Sequence, residues 1–172
     1  IERLTRQYDG YHFTSPSPDI FNPFSLLNAF QDRRLDSYWF ASGTPTYLIE
    51  MLRKFDVLPS EIGNIEALSS EFDAPTEGME SITPLLYQSG YVTIKGYEHE
   101  AQLYTLDIPN SEVRIGLMKS LLPLYAPTKS GRGMTLAAKM SLSLKDDDID
   151  GALRQLQEYL LTVPYCNDAN TE

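Results

Sequence analysis

A single cysteine, Cys166, stands in 172 residues, so the chain can form neither an internal disulfide nor a thiolate metal site. A reducing, cytoplasmic setting is the expectation. Basic residues are also few: 14 Lys and Arg face 24 Asp and Glu, for a formal net charge of -10. A field of that sign repels phosphate backbones and anionic lipid, which makes nucleic acid a disfavoured partner. No apolar run approaches the ~18 to 20 residues of a membrane span, and the first residues carry neither a charged n-region nor an apolar h-region. The chain opens at Ile1 without an initiator methionine, and we read it as a middle segment of a longer protein.

Motifs of self-contained chemistry are missing as well. A phosphate-cradling loop needs glycines ahead of a Lys-Ser or Lys-Thr pair, whereas Lys129-Ser130 is followed by Gly131 and Gly133, the reverse order. Asp146-Asp147-Asp148-Ile149-Asp150-Gly151 matches the first half of a calcium loop. The twelfth position is Gln157 rather than a bidentate Glu, so an acidic helix start without metal is the better reading. His12 and His99 are the histidines, and neither lies in a motif that joins it to a nucleophile or to metal-ligand spacing. Each reads as a surface or turn residue. Asp9, beside Tyr8 and Tyr11, reads as an acceptor that organises a loop, and Tyr38-Trp39-Phe40 as core rather than ligand platform.

What is present is helix and turn punctuation around enough apolar residues, 42% of the chain, for one good-sized core or two small ones. A loop with Ser15-Pro16-Ser17-Pro18 comes first. Asn22 then caps and Pro23 opens a helix with Phe24, Leu27 and Phe30 at three-residue spacing, ending near Arg34. Thr44 can cap and Pro45 open a second, bearing Leu48, Met51, Leu52 and Phe55. From Leu58 to Glu80 breakers dominate and a connector is expected, with one short helix at most between Ile62 and Phe72.

Leu85 and Leu86 lie on a short helix that Gly90 can end in a left-handed cap. Tyr91 to Ile94 and Leu103 to Leu106 predict a hairpin, joined through Lys95 to Gln102. Asn110 caps a helix carrying Val113, Leu117, Leu121 and Leu124, and two more follow over Leu136 to Leu144 and from Ile149 to Leu160. The hairpin tip, Lys95-Gly96-Tyr97-Glu98-His99-Glu100, sets two acids against one lysine, a poor wing for a phosphate backbone. A contiguous basic face around Lys95, Arg114 and Lys119 would be needed to favour DNA contact.

Several strings in order carry a family resemblance. They are Tyr8-Asp9-Gly10-Tyr11-His12-Phe13, Asn22-Pro23-Phe24-Ser25-Leu26-Leu27 and Tyr38-Trp39-Phe40-Ala41-Ser42-Gly43-Thr44-Pro45. Leu85 to Ile94, Ile108 to Arg114 and Val163-Pro164-Tyr165 follow. Together they resemble the C-terminal part of the predicted AAA-ATPase-like family of bacteria. Its members resemble P-loop ATPases on the N-terminal side and usually end in a PD-(D/E)XK nuclease-like domain, and neither signature occurs in this chain. The resemblance implies a mainly α (α+β) fold: a helical bundle-like lid segment over 1-57, a winged-helix-like module with one β-hairpin over 58-126, and a helical connector over 127-172. It implies no catalytic residue and no metal site here, with ATP and Mg bound in the parent protein and the ATPase core and C-terminal domain as intramolecular partners. A Gly-x-Pro turn touches the nucleotide base in related ATPases, so Gly43, Thr44 and Pro45 are the positions to which that contact transfers. The alternatives are a winged-helix-like nucleic-acid-binding module and a protein-interaction scaffold built on the stripe of the last helix. Burial of Leu153, Leu156 and Leu160 would decide the scaffold reading.

Overall fold

The computed structural model describes residues 1-42, 46-125 and 132-162. Its backbone divides into two compact units, Ile1-Met118 and Lys119-Glu172. The fold is mainly α (α+β), with eight α-helices and one three-stranded antiparallel sheet among the described residues. None of those helices is long and apolar enough to cross a membrane.

The first unit opens with a helix, α1 (Glu2-Tyr8), where the sequence suggested only a charged lead-in to a loop. Gly10, just beyond it, sits at φ +99, and a Cβ there would run into the Pro109 carbonyl, so glycine is required on both counts. The chain then makes a single bridge between Tyr11 and Ile20. Helix α2 (Pro23-Asp32) begins as expected: Asn22 Oδ1 accepts the Ser25 N-H at 3.2 Å, Pro23 occupies the first turn, and Arg33 ends it in the left-handed region.

Its buried face was not the expected one. Ser25 and Ala29 point inward, whereas Phe24, Leu27 and Phe30 are 54%, 68% and 61% exposed. A short 3-10 turn (Trp39-Ser42) precedes α3 (Thr46-Lys54), which buries Leu48, Ile49 and Leu52.

The segment read as a connector contains a strand, β1 (Ile65-Ala67), and a one-turn helix, α4 (Ser69-Phe72). Helix α5 (Thr83-Gln88) ends at Gly90, φ +75, whose N-H returns to the Tyr87 carbonyl. Strands β2 (Thr93-Glu98) and β3 (Leu103-Asp107) form the hairpin, with Tyr97 opposite Tyr104 and a bulge between Ile94 and Gly96. β2 thus takes up half of the stretch assigned to the hairpin loop. Sheet order is β1-β3-β2, with Ile65 and Ile94 both opposite Leu106. Phe72, Tyr87 and Tyr104 stack edge to face against this sheet, ring centroids 4.7 and 5.2 Å apart. Helix α6 (Ser111-Tyr125) starts where Asn110 Oδ1 accepts the Val113 N-H at 3.1 Å, and it buries Val113 and Leu117 completely.

In the second unit α7 (Gly133-Lys145) and α8 (Ile149-Thr162) pack on each other, and Gly133, Leu136, Gly151 and Ala152 are buried. Asp148 Oδ1 accepts the Gly151 N-H at 2.9 Å and caps α8, so this carboxylate serves as the acidic helix start expected of it.

Candidate functional site

Gly43, Thr44 and Pro45 lie outside the described residues, and so does Lys129-Ser130. The chain on either side of residues 43-45 is described, and it is tied down by a residue that sequence reasoning passed over. Glu112, in the first turn of α6, is completely buried. Its Oε1 accepts the Ser25 Oγ-H of α2 and the Trp39 N-H that opens the 3-10 turn, each at 3.0 Å. One carboxylate oxygen thus joins α2, α6 and the segment leading into 43-45. Its other oxygen, Oε2, is buried without a hydrogen-bond partner.

Burial pushes the Glu112 carboxyl above its ordinary value, against the opposing effect of the Trp39 and Ser25 hydrogen bonds. Tyr8 and Tyr11 report the same environment. Desolvation, and then the charge of Glu112, push the Tyr8 phenol up to about 12 and raise the Tyr11 phenol strongly as well. Nothing in Ser111-Glu112 distinguishes this glutamate from an exposed residue complementing a helix dipole. The available hint was Ser25, a small polar residue on the face of α2 opposite Phe24, Leu27 and Phe30.

Aromatic packing completes the junction. Trp39 meets Phe40 at 5.0 Å and Tyr91 at 5.1 Å, while the Phe40 ring lies so close over Gly116 of α6 that a Cβ there would fall inside it. The Tyr38-Trp39-Phe40 cluster, expected as core, is only half-buried, because Trp39 also faces a cleft. Asp9 Oδ1 accepts the Gly10 N-H at 2.9 Å, a loop-fixing role.

Beside the junction lies a cleft of about 680 Å³ walled by Tyr11, His12, Phe13, Phe21, Trp39 and Tyr87. His12 is held on both sides: its backbone exchanges hydrogen bonds with Thr93 Oγ1 at 2.8 and 2.7 Å, and its Nε2 lies 2.9 Å from Asp19 Oδ1. His99 is exposed and edges onto Tyr97. The two histidines do not come together.

Two cations named for DNA contact are engaged inside the first unit. Lys95 Nζ donates to the Gly10 and Pro109 carbonyls, and Arg114 Nη2 lies 3.9 Å from Asp107 Oδ1. Desolvation lowers the Lys95 pKa, and the carboxylates of Asp19, Asp107 and Asp9 work against that shift. Lys119 belongs to the second unit. No group of three His, Cys, Asp or Glu placed to hold a metal ion occurs among the described residues.

No family model and no solved structure matches the chain. It is 37% identical over 131 residues to an "Uncharacterized protein in vnfD 5'region" of Azotobacter chroococcum mcd 1, a match over 73% of this chain and 24% of the relative. The chain therefore spans about a quarter of the length of the curated relative that it matches.

Proposed function

We propose that this chain is a non-catalytic coupling segment of an AAA-ATPase-like protein, linking a nucleotide-binding domain to a C-terminal nuclease-like effector, both outside these residues. ATP and Mg would be held by the parent, in a cytoplasmic setting. The observation that carries this reading is the Glu112 junction, in which one buried oxygen fastens two helices to the segment entering Gly43-Thr44-Pro45. Displacement of those three residues by a nucleotide would strain hydrogen bonds that end on α2 and α6, which is how a local change biases a distant element.

Uncovered apolar surface favours the alternative of a protein-interaction scaffold. Phe24, Leu27 and Phe30 on α2, and Ile149, Leu153 and Leu160 on α8, are more than half exposed. Leu156 is 38% exposed. Stripes of that kind mark interaction faces.

The other alternative is a winged-helix-like nucleic-acid-binding module. The order α3, β1, α4, α5, β2, β3 with sheet order β1-β3-β2 resembles the arrangement expected of a winged helix, which supports this reading. Against it, α5 has no basic residue and is largely buried, and Lys95 is spent on backbone carbonyls.

Parallel titrations test the proposal: MgATP against the 172-residue chain and against the intact protein, with phosphate release followed in both. Binding and turnover confined to the intact protein are expected. Turnover by the 172 residues alone would end the proposal.

A further inference from the structure

The cleft beside the junction continues into a second hollow of about 380 Å³ that shares Phe13 and Tyr87 with it and runs on past Phe72, Asp73 and Tyr104. The larger hollow lies within the ~300 to 1,000 Å³ of binding pockets. Phe13 stands between the two yet is 66% exposed, so a large aromatic side chain is presented to water where the hollows meet. Among the described residues, no lysine, arginine, aspartate or glutamate lines the larger hollow.

Carboxylates lie at both hollows, and the ammonium of Lys95 is occupied by the Gly10 and Pro109 carbonyls. Asp73 lines the second hollow, and Asp19 lies against His12 at the first.

We propose that the paired hollows form a docking groove for a segment of a partner protein that presents an aromatic or bulky aliphatic side chain flanked by arginine or lysine. The apolar anchor is desolvated among Tyr11, Phe21, Trp39 and Tyr87, which is where binding energy concentrates in interfaces. The flanking cations meet the carboxylates of Asp19 and Asp73 and the open face of Phe13. Phosphates and acidic peptides are repelled by the same field. The groove does not depend on the coupling role and stands or falls separately.

Trp39 is the sole tryptophan and lines the groove, so its emission reports occupancy directly. The probes are capped eight-residue peptides with a phenylalanine-leucine core flanked by arginines, or by glutamates, titrated into the whole 172-residue chain. The arginine peptide is expected to give a saturable change and to bind about tenfold tighter than the glutamate peptide, the gap narrowing as salt rises. Phe13→Ala and Asp73→Lys change exposed side chains and leave the core intact. Each should weaken the arginine peptide about fivefold or more. The proposal is overturned by no saturable response to that peptide, by equal affinity for the two peptides, by unchanged affinity in both variants, or by tighter binding of a DNA duplex than of the arginine peptide.

Discussion

Helices α6 and α8 treat similar sequence patterns in opposite ways. In the first unit, α6 turns Val113 and Leu117 inward, and the same helix carries a fully buried carboxylate hydrogen-bonded to two distant elements. In the second, α7 and α8 pack on each other with Leu136, Gly151 and Ala152 buried, while Leu142, Leu144, Ile149, Leu153 and Leu160 are at least half exposed. Helical periodicity marks which residues share a face, but burial depends on whether a partner element arrives to cover that face. The sheet and the aromatic junction supply such partners in the first unit. On α8 the apolar stripe awaits one.

Gly116 offers one test of that contrast. Alanine is a better helix former than glycine by about 1 kcal/mol, but a methyl at 116 would enter the Phe40 ring, and overpacking costs about 1 to 3 kcal/mol. Gly116→Ala should therefore lower stability in urea unfolding and shift Trp39 fluorescence. The equivalent change on α8, Gly151→Ala, also meets a side chain, the Asp148 carboxylate, but that group is exposed and can swing outward. Losing its cap costs about 1 kcal/mol, close to the propensity gain of about 1 kcal/mol, so the same measurement should find little net change.

Glu112→Ala should cost more, because it strands the Trp39 N-H and the Ser25 hydroxyl at about 1 to 3 kcal/mol for each group that remains buried. Glu112→Gln keeps an acceptor at the Oε1 position and should be milder. It should also change the pH profile. Burial raises the folded-state pKa of Glu112 above its ordinary 4.5, so the folded state binds the extra proton in the window between the two values. The wild type should lose stability relative to Glu112→Gln as pH rises through that window, and the two curves should run parallel below it.

The smallest effect belongs to α8. Leu153→Glu and Leu160→Glu in the 172-residue chain should stay within about 0.5 kcal/mol of wild type, as for other exposed positions. A larger loss would mean that the stripe is already covered.

Local chemistry made much of the fold legible. Asn22-Pro23, Asn110 and Asp148 each cap the helix they announce, and Gly90 closes α5, because these signals act within four residues of chain. Elements that exist through distant partners were not legible. β1 has three residues between turn-forming Gly63-Asn64 and α4, and its hydrogen bonds are made to β3, nearly forty residues away. The charged α1 was not legible because Leu4 and Tyr8 are its only apolar pair, too short a pattern to announce a helix. At the site, the burial of Glu112 depends on Ser25 and Trp39, 87 and 73 residues away in sequence, and no spacing rule connects them.

The coupling claim is tested most directly by amide hydrogen exchange on the intact protein, with and without MgATP, for wild type and Glu112→Ala. Nucleotide should change the protection of residues 39-42 and of α2 and α6 in the wild type, with the changes in α2 and α6 lost in the variant. Unchanged exchange across all three in the wild type, or the same response in Glu112→Ala, would contradict the account.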